Sequence, residues 1–92
     1  MTEPKRLSDV EQQALLAVWR LGDEAWGANI RDELAGVTGR RLSISAVYVT
    51  LVRLEKGGLV TSDFGEPENV RGGKAKRCFQ IAADGVIALK RS

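Results

Sequence analysis

The feature that most constrains this chain is a change of hydrophobic period at Gly57-Gly58. Up to Lys56 the apolar residues recur at helical spacing, and from Leu59 the pattern becomes strand-like. Three helical segments precede the switch. In the first, Val10, Ala14, Ala17/Val18 and Leu21 keep the helical period. Ser8-Asp9-Val10-Glu11 ahead of them is a capping-box pattern, in which the Ser8 hydroxyl and the Glu11 carboxylate satisfy free backbone donors. Leu7 sits just before the cap, where it could staple the helix entry. Gly22 ends this helix and residues 23–27 read as a loop. The second segment runs from about Ala28 to Val37, with Ile30, Leu34 and Val37 inward and Asn29, Arg31, Asp32 and Glu33 outward. Gly39 suits a left-handed helix end. Arg40-Arg41-Leu42 leaves room only for a turn or a one-bond strand. The third helix begins near Ser43 or Ser45, either of which could cap it, and buries Val47, Leu51 and Leu54.

Beyond the switch, 59–64 and 77–81 read as two antiparallel strands, joined by a long hairpin that contains Pro67, Gly72 and Gly73. From Asp84, Val86, Ile87 and Leu89 start a further helix. The expected fold is mainly α with a small β-wing, a winged helix-turn-helix. It has three helices, a two-stranded antiparallel wing and the start of a C-terminal helix. Ninety-two residues make one domain, spanning 1–92. A chain this short buries only about 60% of the surface its unfolded form exposes, so an isolated copy is marginally stable. Leu15, Leu16 and Trp19 widen the apolar surface of the first helix beyond what one core face requires. These residues are therefore expected to pack in part on a partner subunit.

Charge is divided unevenly. Residues 1–39 carry four Lys/Arg and seven Asp/Glu, and residues 40–92 carry ten and five, for balances of −3 and +5. A basic half of this kind suits a polyanion, although solvated surface charge accounts for it equally well. The densest cationic run is Arg71-Gly72-Gly73-Lys74-Ala75-Lys76-Arg77, with four cations in seven residues and no acid. In the DNA-binding reading, Arg71, Lys74, Lys76 and Arg77 lie along phosphates while Gly73 lets the tip approach closely. Such contacts position a protein without reading sequence. The other reading is a solvated loop.

The third helix supplies the reading face, because recognition helices contact the major groove from their N-terminal turns. Ser43, Ser45 and Ala46 are small enough for close approach, and Val49 lies on the same outward face. Thr50 offers a hydroxyl and a methyl, and Arg53 reaches a guanine edge or a phosphate. Tyr48 lies between the buried and exposed stripes. Either it packs on the core and gives its hydroxyl to a phosphate, or it is a half-buried aromatic with its hydroxyl in water. The same outward residues also fit the plain solvent face of an amphipathic helix.

Other chemistry has little to stand on. Cys78 is the sole cysteine and histidine is absent, which excludes an internal disulfide, thiolate metal sites and most acid–base triads. Asp23-Glu24 and Asp32-Glu33 are sequence neighbours that point apart or lie in a loop. Gly72-Gly73 lacks the strand–loop–helix context of a phosphate-binding loop. No enzyme, metal or cofactor is expected. The polar start, Met1 to Arg6, and the lack of a membrane-length apolar run lead to the expectation of a cytoplasmic protein without a membrane anchor. Trp19 and Trp26 read as packing residues, and Cys78 as an ordinary strand residue.

The run 43–60, above all Tyr48-Val49-Thr50-Leu51-Val52-Arg53-Leu54-Glu55 followed by Gly58-Leu59-Val60, resembles the PadR-like transcriptional regulators. So do Gly65-Glu66-Pro67, the cationic run, Phe79 and Gly85, and the Gly22–Gly27 loop with its tryptophan before a glycine. The resemblance extends from about Leu7 to Leu89. It implies a sequence-specific homodimeric repressor that holds a palindromic operator in double-stranded DNA through the third helix and the wing. In that family a C-terminal helix packs on the partner's first helix, which adds Ile87 to the dimer surface. Some members release DNA when a small aromatic compound, such as a phenolic acid, or a drug-like molecule binds. The chain departs from the family at Ala82, where a capping threonine is usual, and at Cys78, where an aromatic is common. Its last helix is also expected to be short, about two turns to Ser92, which weakens the implied dimer and any effector pocket. The penicillinase-repressor type of winged helix shares the Leu7-Ser8-Asp9 start and Trp19 but fits the Gly-Gly wing less well. The rival from another class is a winged helix used as a protein-interaction module without DNA.

Overall fold

Each helix begins or ends where a backbone group finds a local partner. The computed structural model describes residues 7–64 and 77–91. Helix α1 (Asp9–Leu21) opens on the capping box: the Glu11 N–H donates to Ser8 Oγ (3.2 Å), and the Ser8 N–H donates to Glu11 Oε1 (3.0 Å). A short 3-10 turn, Gly22–Glu24, leads to α2 (Gly27–Thr38). Gly39 ends α2 in the left-handed conformation expected of it (φ 69°). Helix α3 (Ile44–Lys56) is capped by Ser43 rather than Ser45, the Ala46 N–H donating to Ser43 Oγ at 3.1 Å. At its other end only the second glycine, Gly58, is left-handed (φ 77°). The Leu59 N–H then reaches back to the Leu54 carbonyl and the Gly58 N–H to that of Glu55. This pair of bonds closes the helix and launches the strand.

Strands β1 (Val60–Phe64) and β2 (Arg77–Ile81) pair antiparallel, with Val60 opposite Ile81 and Phe64 opposite Arg77. A backbone contact not foreseen in the sequence extends the sheet. Trp26 bridges Cys78, and the Phe79 N–H donates to the Ala25 carbonyl at 2.8 Å. The loop between α1 and α2 thus serves as a third, one-bond strand, and the fold is a winged helix. Helix α4 (Ala83–Lys90) starts at Ala82 with no side-chain cap. Among the described residues, no helix is long and apolar enough to cross a membrane.

The core lies where α1, α2, α3 and the sheet converge, filled by Leu15, Val18, Ile30, Leu34, Leu51 and Phe79 with their neighbours. Two expectations need correction. Leu15 is 0% exposed, so it belongs to the chain's own core and has no surface to offer a partner. Leu16, one residue on, is turned about 100° around the helix axis and is 43% exposed. Val37, expected inward, is exposed. The buried stripe of α2 is Gly27, Ile30 and Leu34, and Val37 falls at its edge beside Leu16, Ala17 and Leu34 on a shallow groove between α1 and α2.

Helix α4 comes closest to the rest of the fold at Gly85, which is buried. A Cβ at that position would overlap the Leu59 carbonyl oxygen and stand 2.7 Å from Ile81 Cγ1. The glycine there is a condition for seating α4 on the start of β1 and against α1.

Candidate nucleic-acid interface

Burial of Val47, Leu51 and Leu54 turns the opposite side of α3 to solvent. Ser45, Ala46, Val49 and Arg53 are exposed, with Thr50 half-buried beside them. The exposed Arg40 and Arg41 stand just ahead of the helix. Two hydroxyls of this face are already engaged. Ser43 Oγ caps the helix, and Thr50 Oγ1 donates to the Ala46 carbonyl at 3.1 Å. Thr50 is left with its methyl and the acceptor side of its hydroxyl oxygen.

Tyr48 packs against the core. Its ring stands 6.2 Å from that of Phe79, tilted by 55°, and its hydroxyl end lies over the first residue of α2. There Gly27 leaves the space, since a Cβ would come within 2.7 Å of the Tyr48 oxygen. The hydroxyl therefore sits beside the N-terminus of α2, the end of a helix dipole that favours negative charge.

The wing residues Arg71, Gly73, Lys74 and Lys76 lie outside the described residues. Arg77 is described, and it turns inward to α3. Its guanidinium binds Glu55 Oε1 (2.6 Å) and its Nε donates to Ser62 Oγ (3.1 Å), while the Ser62 hydroxyl donates to Glu55 Oε2 (2.5 Å). The cation also lies over the rings of Phe79 (5.2 Å) and Phe64 (5.9 Å). The Ser62 hydrogen bond, followed by the charge of Arg77, holds the Glu55 carboxyl below its ordinary range, against the opposing effect of burial. An acid near a helix C-terminus opposes the helix dipole, and Arg77 offsets this.

Glu55 and Ser62 were not recognisable as parts of this arrangement. Alternation places Ser62 and Phe64 on one face, but the register that brings Arg77 beside them depends on a hairpin whose length sets no unique pairing. Of the expected partner-facing residues, Leu16, Trp19 (46% exposed) and Ile87 (47%) are accessible. Trp26 is half-buried and joined to β2 through the Cys78 bridge.

Comparison with known proteins agrees with this architecture. A transcriptional regulator from Clostridium thermocellum superposes with a TM-score of 0.71 at 22% identity, over 92% of this chain and 82% of that one. A PadR-like transcriptional regulator from Bacillus cereus gives 0.69 at 18% identity, over 89% and 75%. A PadR family regulator from Clostridium difficile gives 0.67 at 19%, over 91% and 82%. Likeness at these identities establishes the fold. No curated protein matches the sequence. The family assignment comes from the model of the PadR-like transcriptional regulators, which matches residues 15–91, from the core of α1 to the end of α4. The chain belongs to the PadR-like family of transcriptional regulators.

Proposed function

We propose that the protein is a homodimeric repressor that holds a palindromic operator through α3 and the wing. The observation that carries this reading is the outward face of α3. Apart from Ile44 and Val49 it is built of small side chains, ends in the exposed Arg53, and is preceded by the exposed Arg40 and Arg41. Small residues allow close approach to base edges, and the cations suit phosphates. Ser45, Ala46, Val49, Thr50 and Arg53 contact bases. Tyr48 offers its hydroxyl to a phosphate at the N-terminus of α2. Arg71, Lys74 and Lys76, with Gly73 at the tip, follow the backbone as the wing. Arg77 braces that wing on α3. The dimer forms through Leu16, Trp19 and Ile87, which lie exposed on two helices, α1 and α4, that pack on one another. A small aromatic effector, implied by the family, would act near the exposed Trp19.

The test is a fluorescence-anisotropy titration of the protein against its own upstream DNA and a random duplex, each at two salt concentrations. Tighter, salt-sensitive binding to the upstream DNA is expected. Arg53→Ala should lose about 1–3 kcal/mol on that DNA, and an equal loss on random DNA would make Arg53 a phosphate contact instead. A second reading, a protein-interaction module, draws on one observation: Ile44 and Val49 are large apolar residues exposed on α3. Weak, salt-insensitive binding to both duplexes would favour it.

A further inference from the structure

The outward face of α3 has few groups that form hydrogen bonds to bases. From Ile44 to Leu54 the helix has no Asn, Gln, Asp, Glu or Lys. The side chains that bind adenine bidentately are therefore missing, and Arg53 alone suits guanine. Ser43 Oγ accepts from the Ala46 N–H, and the Thr50 hydroxyl donates to the Ala46 carbonyl. The short polar groups left to this face are therefore one donor on Ser43, an acceptor on Thr50 and the exposed Ser45 hydroxyl. Ala46, Val49 and Thr50 form a strip of methyl groups on one side of the helix, with Val49 at its centre and 53% exposed. Val49 lies outside the buried core of the domain. Arg40 and Arg41 at one end of the strip and Arg53 at the other would hold it against a polyanion.

One group on a DNA base edge complements such a strip, the C5 methyl of thymine in the major groove. We infer that α3 reads its operator chiefly through thymine methyl groups, with Val49 as the reading residue and the methyls of Ala46 and Thr50 beside it. This deepens the DNA-binding reading above and rests on it. It identifies the ligand class as half-sites with thymine under the centre of α3, distinguished from cytosine by a methyl contact.

The experiment needs no variant at first. A duplex is selected from a randomised pool with the whole protein, and each thymine is replaced in turn by deoxyuridine, which removes the methyl and keeps the pairing. At the positions covered by α3, affinity should fall about fourfold per methyl, the worth of one buried CH₂ group. Replacing such a thymine–adenine pair by 5-methylcytosine–guanine should lose less affinity than replacing it by cytosine–guanine. In Val49→Ser, at an exposed position where the fold is not at stake, the thymine-to-uracil ratio should approach one. That arm separates methyl contact from a change in DNA shape, which would persist in the variant. A selected duplex that binds well above random DNA, yet is indifferent to every uracil substitution, overturns this inference and leaves the DNA-binding reading standing. An unchanged ratio in Val49→Ser also overturns it. If no duplex is preferred over random DNA, the DNA-binding reading fails and this inference with it.

Discussion

Gly85→Ala and Gly36→Ala are the same chemical change in two helices, and the structure assigns them opposite signs. Replacing a helix-interior glycine by alanine ordinarily stabilises by about 0.5–1 kcal/mol, since glycine loses the most backbone freedom on folding. Gly36 is exposed on α2 and an added Cβ would meet nothing within 4 Å, so that gain should be realised in full. At Gly85 the new methyl would overlap the Leu59 carbonyl oxygen, stand 3.2 Å from its carbon, and press on Ile81 Cγ1 at 2.7 Å. Leu59 cannot simply move away. Its N–H is held by the Leu54 carbonyl (3.0 Å), and its own carbonyl accepts from the Ala82 N–H (2.9 Å). Helix α4 must lift instead. Forced overpacking costs about 1–3 kcal/mol, and weakening the Ala82 bond adds about 1 kcal/mol. After the propensity gain is subtracted, Gly85→Ala should be less stable by about 2 kcal/mol. Urea unfolding followed by tryptophan fluorescence, at one fixed protein concentration so that assembly does not shift the midpoint, measures both variants. With a slope of about 1–2 kcal/mol/M, the Gly85→Ala midpoint should fall by roughly 1–2 M and that of Gly36→Ala should rise. A Gly85→Ala protein as stable as the parent would refute the close seating of α4 on β1.

Three further outcomes can be checked, two from the geometry and one from the cationic run of the wing. Glu55 titrates below the ordinary value of 4.5 in the folded chain, so its contribution is complete above that pH and is lost as pH falls through the folded value. Glu55→Gln should therefore cost about 1 kcal/mol at neutral pH, discounted for a half-buried pair, and flatten the acid side of the stability profile; a profile identical to the parent's would argue against the Arg77 brace. Leu16→Asp and Trp19→Ser should shift the protein toward monomer in sedimentation velocity without unfolding it, whereas Leu15→Ala should lose about 2–5 kcal/mol of stability. If neither surface variant alters the sedimentation, α1 is not the dimer face. Lys74→Ala and Lys76→Ala should each reduce the log–log salt slope of DNA binding by about 0.9, and unchanged slopes would remove those lysines from the interface.

Much of this protein is local and therefore legible in one dimension. The capping box at Ser8, the left-handed Gly39, the three buried positions of α3 and the change of period at Gly57-Gly58 all depend on residues within a turn or two of each other. The sequence accordingly specified the order of elements, the winged-helix class and the outward residues of α3. What it left open depends on which elements meet. Leu15 and Leu16 are equally apolar neighbours, and only the packing of α1 decided that one is core and the other surface. Val37 met the helical period yet fell at the edge of the stripe buried by α2. Arg77 read as one cation among four until the pairing of β1 with β2 set it beside Ser62 and Glu55. Gly85 became a requirement only when α4 came to rest on the Leu59 carbonyl. Helical period and capping are short-range and survive in the sequence, whereas register, helix docking and the pairing of distant charges are set by long-range contacts.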